Sequence, residues 1–146
     1  MVTSAPPPSP AALASALRTS VLRLGRRLRR HAPGDLTPAQ LSALSVVRRE
    51  PGVTLSGLAE YERVQPPTMT RIVEALVVRG LVERTVCADD RRVARLHPTP
   101  AGRDLVDAVR RRRDAYLATR LAALTDDERA VLARAAELLD RLGEES

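Results

Sequence analysis

Two arginines, Arg91 and Arg92, follow the acidic pair Asp89-Asp90 between two short runs, Val82 to Val86 and Val93 to His97, that predict a β-hairpin. A guanidinium at a hairpin tip is a planar, permanently charged fork. It suits phosphate oxygens and the negative potential of a narrow minor groove. Arg84 and Arg95 fall on the predicted strands themselves and are expected, with Arg91 and Arg92, to contact DNA. Directly upstream, Pro66 to Arg79 predicts a helix closed by Gly80, with Met69, Ile72, Val73, Leu76 and Val77 on one face. Pro67, Arg71, Glu74 and Val78 point the opposite way, with Thr68 and Thr70 on the flanks and Gln65 just before the helix. Arg71 has the donors to hold a guanine edge or a phosphate, and Gln65, Thr68 and Thr70 can hydrogen-bond bases or phosphates. Glu74 either accepts from a cytosine amino group or pairs with Arg71 one turn away. Such a helix fits the major groove of a DNA duplex, while an arginine-tipped hairpin reaches the adjacent minor groove.

The elements that must position these groups start and stop on local signals. A first helix is predicted from Ala11 to Arg30, with Leu13, Leu17, Val21, Leu24 and Leu28 forming one stripe, until Ala32-Pro33-Gly34-Asp35 breaks it. Thr37, Pro38 and Gln40 form a capping box that opens a second helix; Leu41, Leu44 and Val47 step along its buried face, and Pro51-Gly52 ends it. Thr54 caps a short third helix, Leu55 to about Glu60. Thr54 and Ser56 thus sit at a helix N-terminus, where phosphate binding is easy, although capping is their simpler role. Glu62-Arg63-Val64-Gln65 is the turn into the fourth helix. Thr99-Pro100 opens a long fifth helix to about Ala123, with Leu105, Val109, Tyr116, Leu117, Leu121 and Leu124 expected buried. A second capping box, Thr125 to Glu128, starts the last helix, with Val131, Leu132, Ala135, Leu138, Leu139 and Leu142 expected inward. Two short helices, a third with a polar outer face and a hairpin predict a mainly α fold with a small two- or three-stranded β wing, a winged helix-turn-helix.

Composition narrows the partners. The chain has 146 residues, one domain's length, and 44% hydrophobic content, enough for a core. With two Tyr and no Phe or Trp, that core must be Leu, Val and Ala. Every one of the 24 basic residues is Arg, there is no Asn, and Ile72 is the sole Ile, a pattern that points to a GC-rich, bacterial genome. The net charge of +6 favours an anionic partner. The single Cys87 excludes an intramolecular disulfide, and neither a membrane-length apolar run nor a signal-peptide pattern is present, so a cytoplasmic protein without a membrane role is expected. Cys87 has no second cysteine to resolve an oxidised sulfur. Two His, one Cys, no metal-spaced cluster, no glycine-rich phosphate loop and no nucleophile elbow argue against an enzyme, a metal site or a cofactor.

The segment from Leu36 to Asp107 resembles the MarR family of bacterial regulators. The matching pieces are Leu36-Thr37-Pro38-Ala39-Gln40, Leu58-Ala59-Glu60, Met69 to Leu76, Arg79-Gly80-Leu81-Val82-Glu83-Arg84, Asp90-Arg91-Arg92 and Thr99-Pro100-Ala101-Gly102-Arg103. Each is weak alone; their order and spacing carry the likeness. Pro98 departs from the family's usual Leu and is expected to shorten the second wing strand. The Pro66-Pro67 pair is a second departure, tolerable in a first helical turn. The resemblance implies a homodimeric, sequence-specific regulator, most often a repressor. It places Arg92 in the minor groove and makes Asp90 the aspartate that orients it. It also implies small aromatic or phenolic anions as releasing ligands, although no aromatic box or cation trap is visible in the sequence.

The implied organisation is a disordered residue 1–10 segment, a dimerisation helix over 11–34, the DNA-binding winged helix over 35–99 and dimerisation helices over 100–146. Leu13, Leu17, Val21, Tyr116, Leu117, Leu121, Leu132, Leu138, Leu139 and Leu142 are the expected dimer residues. Their stripes exceed what a lone winged helix can cover, so a symmetric dimer on a pseudo-palindromic operator is expected. One larger monomeric core is the competing account. The mid-helix run Arg110 to Arg113 reads as a solvated face, and His31 as an exposed helix end. A winged-helix protein-interaction module and a sequence-blind architectural DNA binder are the alternatives in function.

Overall fold

The computed structural model describes residues 6–31 and 34–144. Within them lie six helices and three short strands: α1 (Pro10–Arg29), α2 (Pro38–Arg49), β1 (Val53–Thr54), α3 (Leu55–Tyr61), α4 (Pro66–Val78), β2 (Val82–Val86), β3 (Ala94–Pro98), α5 (Pro100–Leu121) and α6 (Asp126–Gly143). The expected disordered segment falls partly outside the described residues. Its last residues are ordered, because Ser9 accepts from the Ala12 amide and caps α1. Both expected capping boxes form, Thr37 with Gln40 and Thr125 with Glu128.

The core belongs to the middle of the chain. Leu44 and Val47 of α2, Leu58 of α3, Met69, Val73 and Leu76 of α4, Val82 of β2 and Leu96 of β3 are all buried. Val106 brings the first half of α5 onto the same core, with Leu105 packed against it, and Val109 is buried farther along the helix. Val106 was missed by the stripe read from the sequence; of the six positions expected buried there, only Val109 is, while Leu105, Tyr116, Leu117, Leu121 and Leu124 are half-buried.

The strands form an antiparallel sheet in the order β1-β3-β2. Pro98 does not shorten the wing: β3 runs through it, paired with Val82, and Pro98 is buried. The reason is which side its nitrogen faces. The Leu96 carbonyl accepts from the Gly52 amide on the β1 side, and residues two apart on a strand face the same neighbour. The Pro98 nitrogen therefore points past the end of two-residue β1, where no ladder bond is lost.

The flanking helices differ. Neither α1 nor α6 buries a single described residue within the chain. Val131, Leu132, Leu138, Leu139 and Leu142, expected inward on α6, are exposed, and only Ala135 is half-buried. Periodicity located the apolar face, but nothing among the described residues covers it. No described helix is long and apolar enough to cross a membrane.

Candidate nucleic-acid interface

The fourth helix presents its polar face outward because its apolar face is consumed by the core. Pro67, Thr68, Arg71 and Glu74 are exposed, and Val78 is 87% exposed at the far end. Pro66 and Pro67 occupy first-turn positions whose amides have no helical partner. Gln65 is the N-cap but makes no side-chain cap bond, so its exposed amide stays available. The Thr70 hydroxyl donates to the Pro66 carbonyl at 3.0 Å, which leaves its oxygen able to accept only. Arg71 and Glu74 form no ion pair with each other, so the structural pairing weighed from their spacing is absent.

Thr54 acts first as a cap, accepting from the Gly57 amide at 3.1 Å, with Ser56 Oγ 3.2 Å from its hydroxyl. At the wing, the Val93 amide donates to the Asp90 carbonyl, and the Cys87 amide to the Val93 carbonyl. The Asp90 carboxylate accepts from the backbone amide of Arg92 at 2.9 Å. It orders the tip through the main chain and not through the Arg92 guanidinium. Arg84, Arg91 and Arg92 are exposed. Arg95, expected on DNA, instead donates to the Gly52 carbonyl at 3.0 Å.

The fold brings together residues far apart in sequence. Thr54, Leu55 and Ser56, Pro66 of α4, and Arg92, Val93 and Ala94 of the wing line one groove of about 330 Å³. The third helix start, the fourth helix start and the wing therefore meet in one place. Arg71 and Glu74 lie beyond it along α4.

Of the expected dimer residues, Leu13, Leu17, Leu138, Leu139 and Leu142 line one apolar groove of about 580 Å³ between α1 and α6. Leu132 lines a second hollow with Leu124 and Val131. Val21 is exposed, while Tyr116, Leu117 and Leu121 are half-buried on α5.

One feature was not legible in the sequence. A pocket of about 410 Å³ between α1, α2 and α5 has Leu28, Leu41 and Val109 among its apolar lining, Arg48, Arg49, Arg110 and Arg113 as cationic lining and Asp114 as an acidic member. Arg48 Nη2 is 2.6 Å from Asp107 Oδ1, joining α2 to α5. The Nε atoms of Arg48 and Arg113 are buried without a hydrogen-bond partner among the described residues. The arginine run is thus not uniformly solvated, and a cation-lined cavity exists. His31 is exposed as expected, and its ring stacks on Tyr116 with centroids 4.0 Å apart.

These elements define a winged helix-turn-helix protein. A sequence model of the MarR family matches residues 36–94. An HTH-type transcriptional regulator of Mycobacterium bovis is 42% identical over 139 residues, covering 94% of this chain and 97% of the relative. The HTH-type transcriptional repressor MdtR of Bacillus subtilis is 34% identical over 93 residues, covering 64% of this chain and 60% of its own. A crystal structure of a transcriptional regulator from Pseudomonas aeruginosa superposes with a TM-score of 0.82 at 36% identity, covering 93% of this chain and 97% of that one. The chain belongs to the MarR family of transcriptional regulators.

Proposed function

We propose that this protein is a cytoplasmic repressor that binds a pseudo-palindromic operator as a homodimer, each subunit laying α4 in the major groove and its wing in the minor groove. The observation that carries the reading is the groove uniting Thr54, Ser56 and Arg92 beside the exposed face of α4. Arg71 and Glu74 face bases, Gln65, Thr68 and Thr70 share bases and phosphates, and Thr54 and Ser56 take a phosphate at the start of α3. Arg92 enters the minor groove, with Arg84 and Arg91 on flanking phosphates. The unburied faces of α1 and α6 support dimerisation, since they need a cover the described residues do not supply. Selection of genomic fragments with purified protein at two salt concentrations, against random duplex, tests the reading. One enriched pseudo-palindrome with half-sites about 10 base pairs apart supports it; salt-sensitive but sequence-blind binding would instead make the protein an architectural DNA binder.

A releasing ligand is part of the proposal, and the arginine-lined pocket favours a small aromatic or phenolic anion. A carboxylate or phenolate there meets the guanidinium groups of Arg110 and Arg113 over an apolar lining. Titration with salicylate checks this: wild-type protein releases operator, and Arg113→Ala needs a higher concentration. Release at the same concentration by both proteins would remove Arg113 from the ligand site.

A further inference from the structure

We infer that Arg95 is a positioning residue, fixing the wing against the start of α3 and thereby setting where Arg92 stands. The inference rests on the DNA-binding reading above. Two consecutive residues of β3 grip one turn. The Gly52 amide donates to the Leu96 carbonyl at 2.8 Å, and the Gly52 carbonyl accepts from Arg95 Nη1 at 3.0 Å. Gly52 has φ +90°, a left-handed conformation that glycine adopts without strain, so both its polar groups can be presented to the wing.

The grip adds a polar hold at Arg95 to the apolar one at Leu96, which is buried in the core of the head. β1 has two residues, and its register with β3 is confined to Val53 with Leu96 and Thr54 with Arg95. Thr54 then caps α3 and lines the groove in which Arg92, Val93 and Ala94 form the opposite wall. Arg95 follows directly on Ala94. A side chain anchored at Gly52 therefore controls the separation between the arginine at the tip and the N-terminus of α3. A wing left free to swing costs ordering entropy on every binding event.

Arg95→Ala and Arg95→Lys, measured in the full-length protein, test this. For Arg95→Ala the expected loss is between about twofold and tenfold in affinity for the selected duplex, the range of one hydrogen bond. The slope of log affinity against log salt stays unchanged. Hydroxyl-radical protection beside the half-sites weakens at the minor groove while protection under α4 persists, and the thermal midpoint stays close to that of the wild type. In free protein, amide exchange at Gly52 and Val53 accelerates. Arg95→Lys keeps a donor on a stem of similar reach and restores most of the affinity. A salt slope lowered by about 0.9 in the alanine variant would make Arg95 a phosphate contact and overturn the inference. So would unchanged exchange at Gly52 in the free protein, a readout independent of DNA. Should the wild type bind no duplex at all, the DNA reading fails, and the inference about the wing's role falls with it even if exchange shows the clamp.

Discussion

The fourth and sixth helices have similar apolar stripes and opposite fates. In 13 residues α4 buries Met69, Val73 and Leu76, whereas α6 buries nothing in 18. Residues from α2 to the middle of α5 interlock around Leu44, Leu58 and Leu96, so the reading head closes its own core. The outer helices present Leu13, Val21, Leu138 and Leu142 to the surroundings, with Leu142 75% exposed. Amphipathicity alone therefore says that a face must be covered, not by what. In the head the cover is the same chain; at the ends we attribute it to a second copy. The fifth helix belongs to both regions. Its start packs on the head, while its far half buries no described residue.

The sharpest way to break the boundary between the regions is at Gly102. A Cβ there would collide with the Leu81 carbonyl oxygen, at the joint where Thr99 Oγ1 donates to the Gly80 carbonyl at 2.6 Å. Backbone cannot yield as a flexible side chain would. Gly102→Ala is expected to destabilise by about 3 kcal/mol or more, read as a lowered denaturant midpoint. An unchanged midpoint would mean that the two segments are not in contact.

Changing the outer helices instead should spare the head and undo the assembly. Leu138→Glu combined with Leu142→Glu places two carboxylates in the groove facing Leu13 and Leu17. Sedimentation is expected to give a folded monomer with helical content retained, and affinity for the full operator should fall by more than about tenfold as avidity is lost. A dimer that survives would assign the interface elsewhere.

Smaller effects divide the reading surface itself. Arg71→Ala is expected to cost about 1–3 kcal/mol of operator binding and to relax preference at one base pair. Arg92→Ala should weaken binding while leaving the sedimentation coefficient unchanged. A loss from Arg71→Ala that is equal on unrelated sequences would move that residue to a phosphate, and unchanged binding by Arg92→Ala would sink the wing assignment.

The parts legible in the sequence were those governed by local chemistry. Thr37 with Gln40, and Thr125 with Glu128, announce helix starts because capping needs only residues three apart. The face of α4 was legible because its stripe has the helical period. What escaped was set by distant partners. Two-residue β1 is too short to show alternation and exists through its pairing with β3. Arg95 reads from the sequence as a DNA contact, and its partner shows only once the fold brings Gly52 within reach. Arg113 reads from the sequence as part of a solvated face, and the fold buries its Nε. Pro98 was misjudged because a strand's neighbours, not its sequence, decide which nitrogens need a partner.

The most direct test of a two-headed reader varies the DNA and leaves the protein alone. Affinity is measured for the selected operator and for the same duplex with about five base pairs inserted at its centre, roughly half a helical turn. Two subunits are expected on the first duplex, and a loss of more than about tenfold on the second, because the half-sites then face opposite sides of the helix. Equal affinity for both duplexes would contradict it, for each head would then bind without regard to the other.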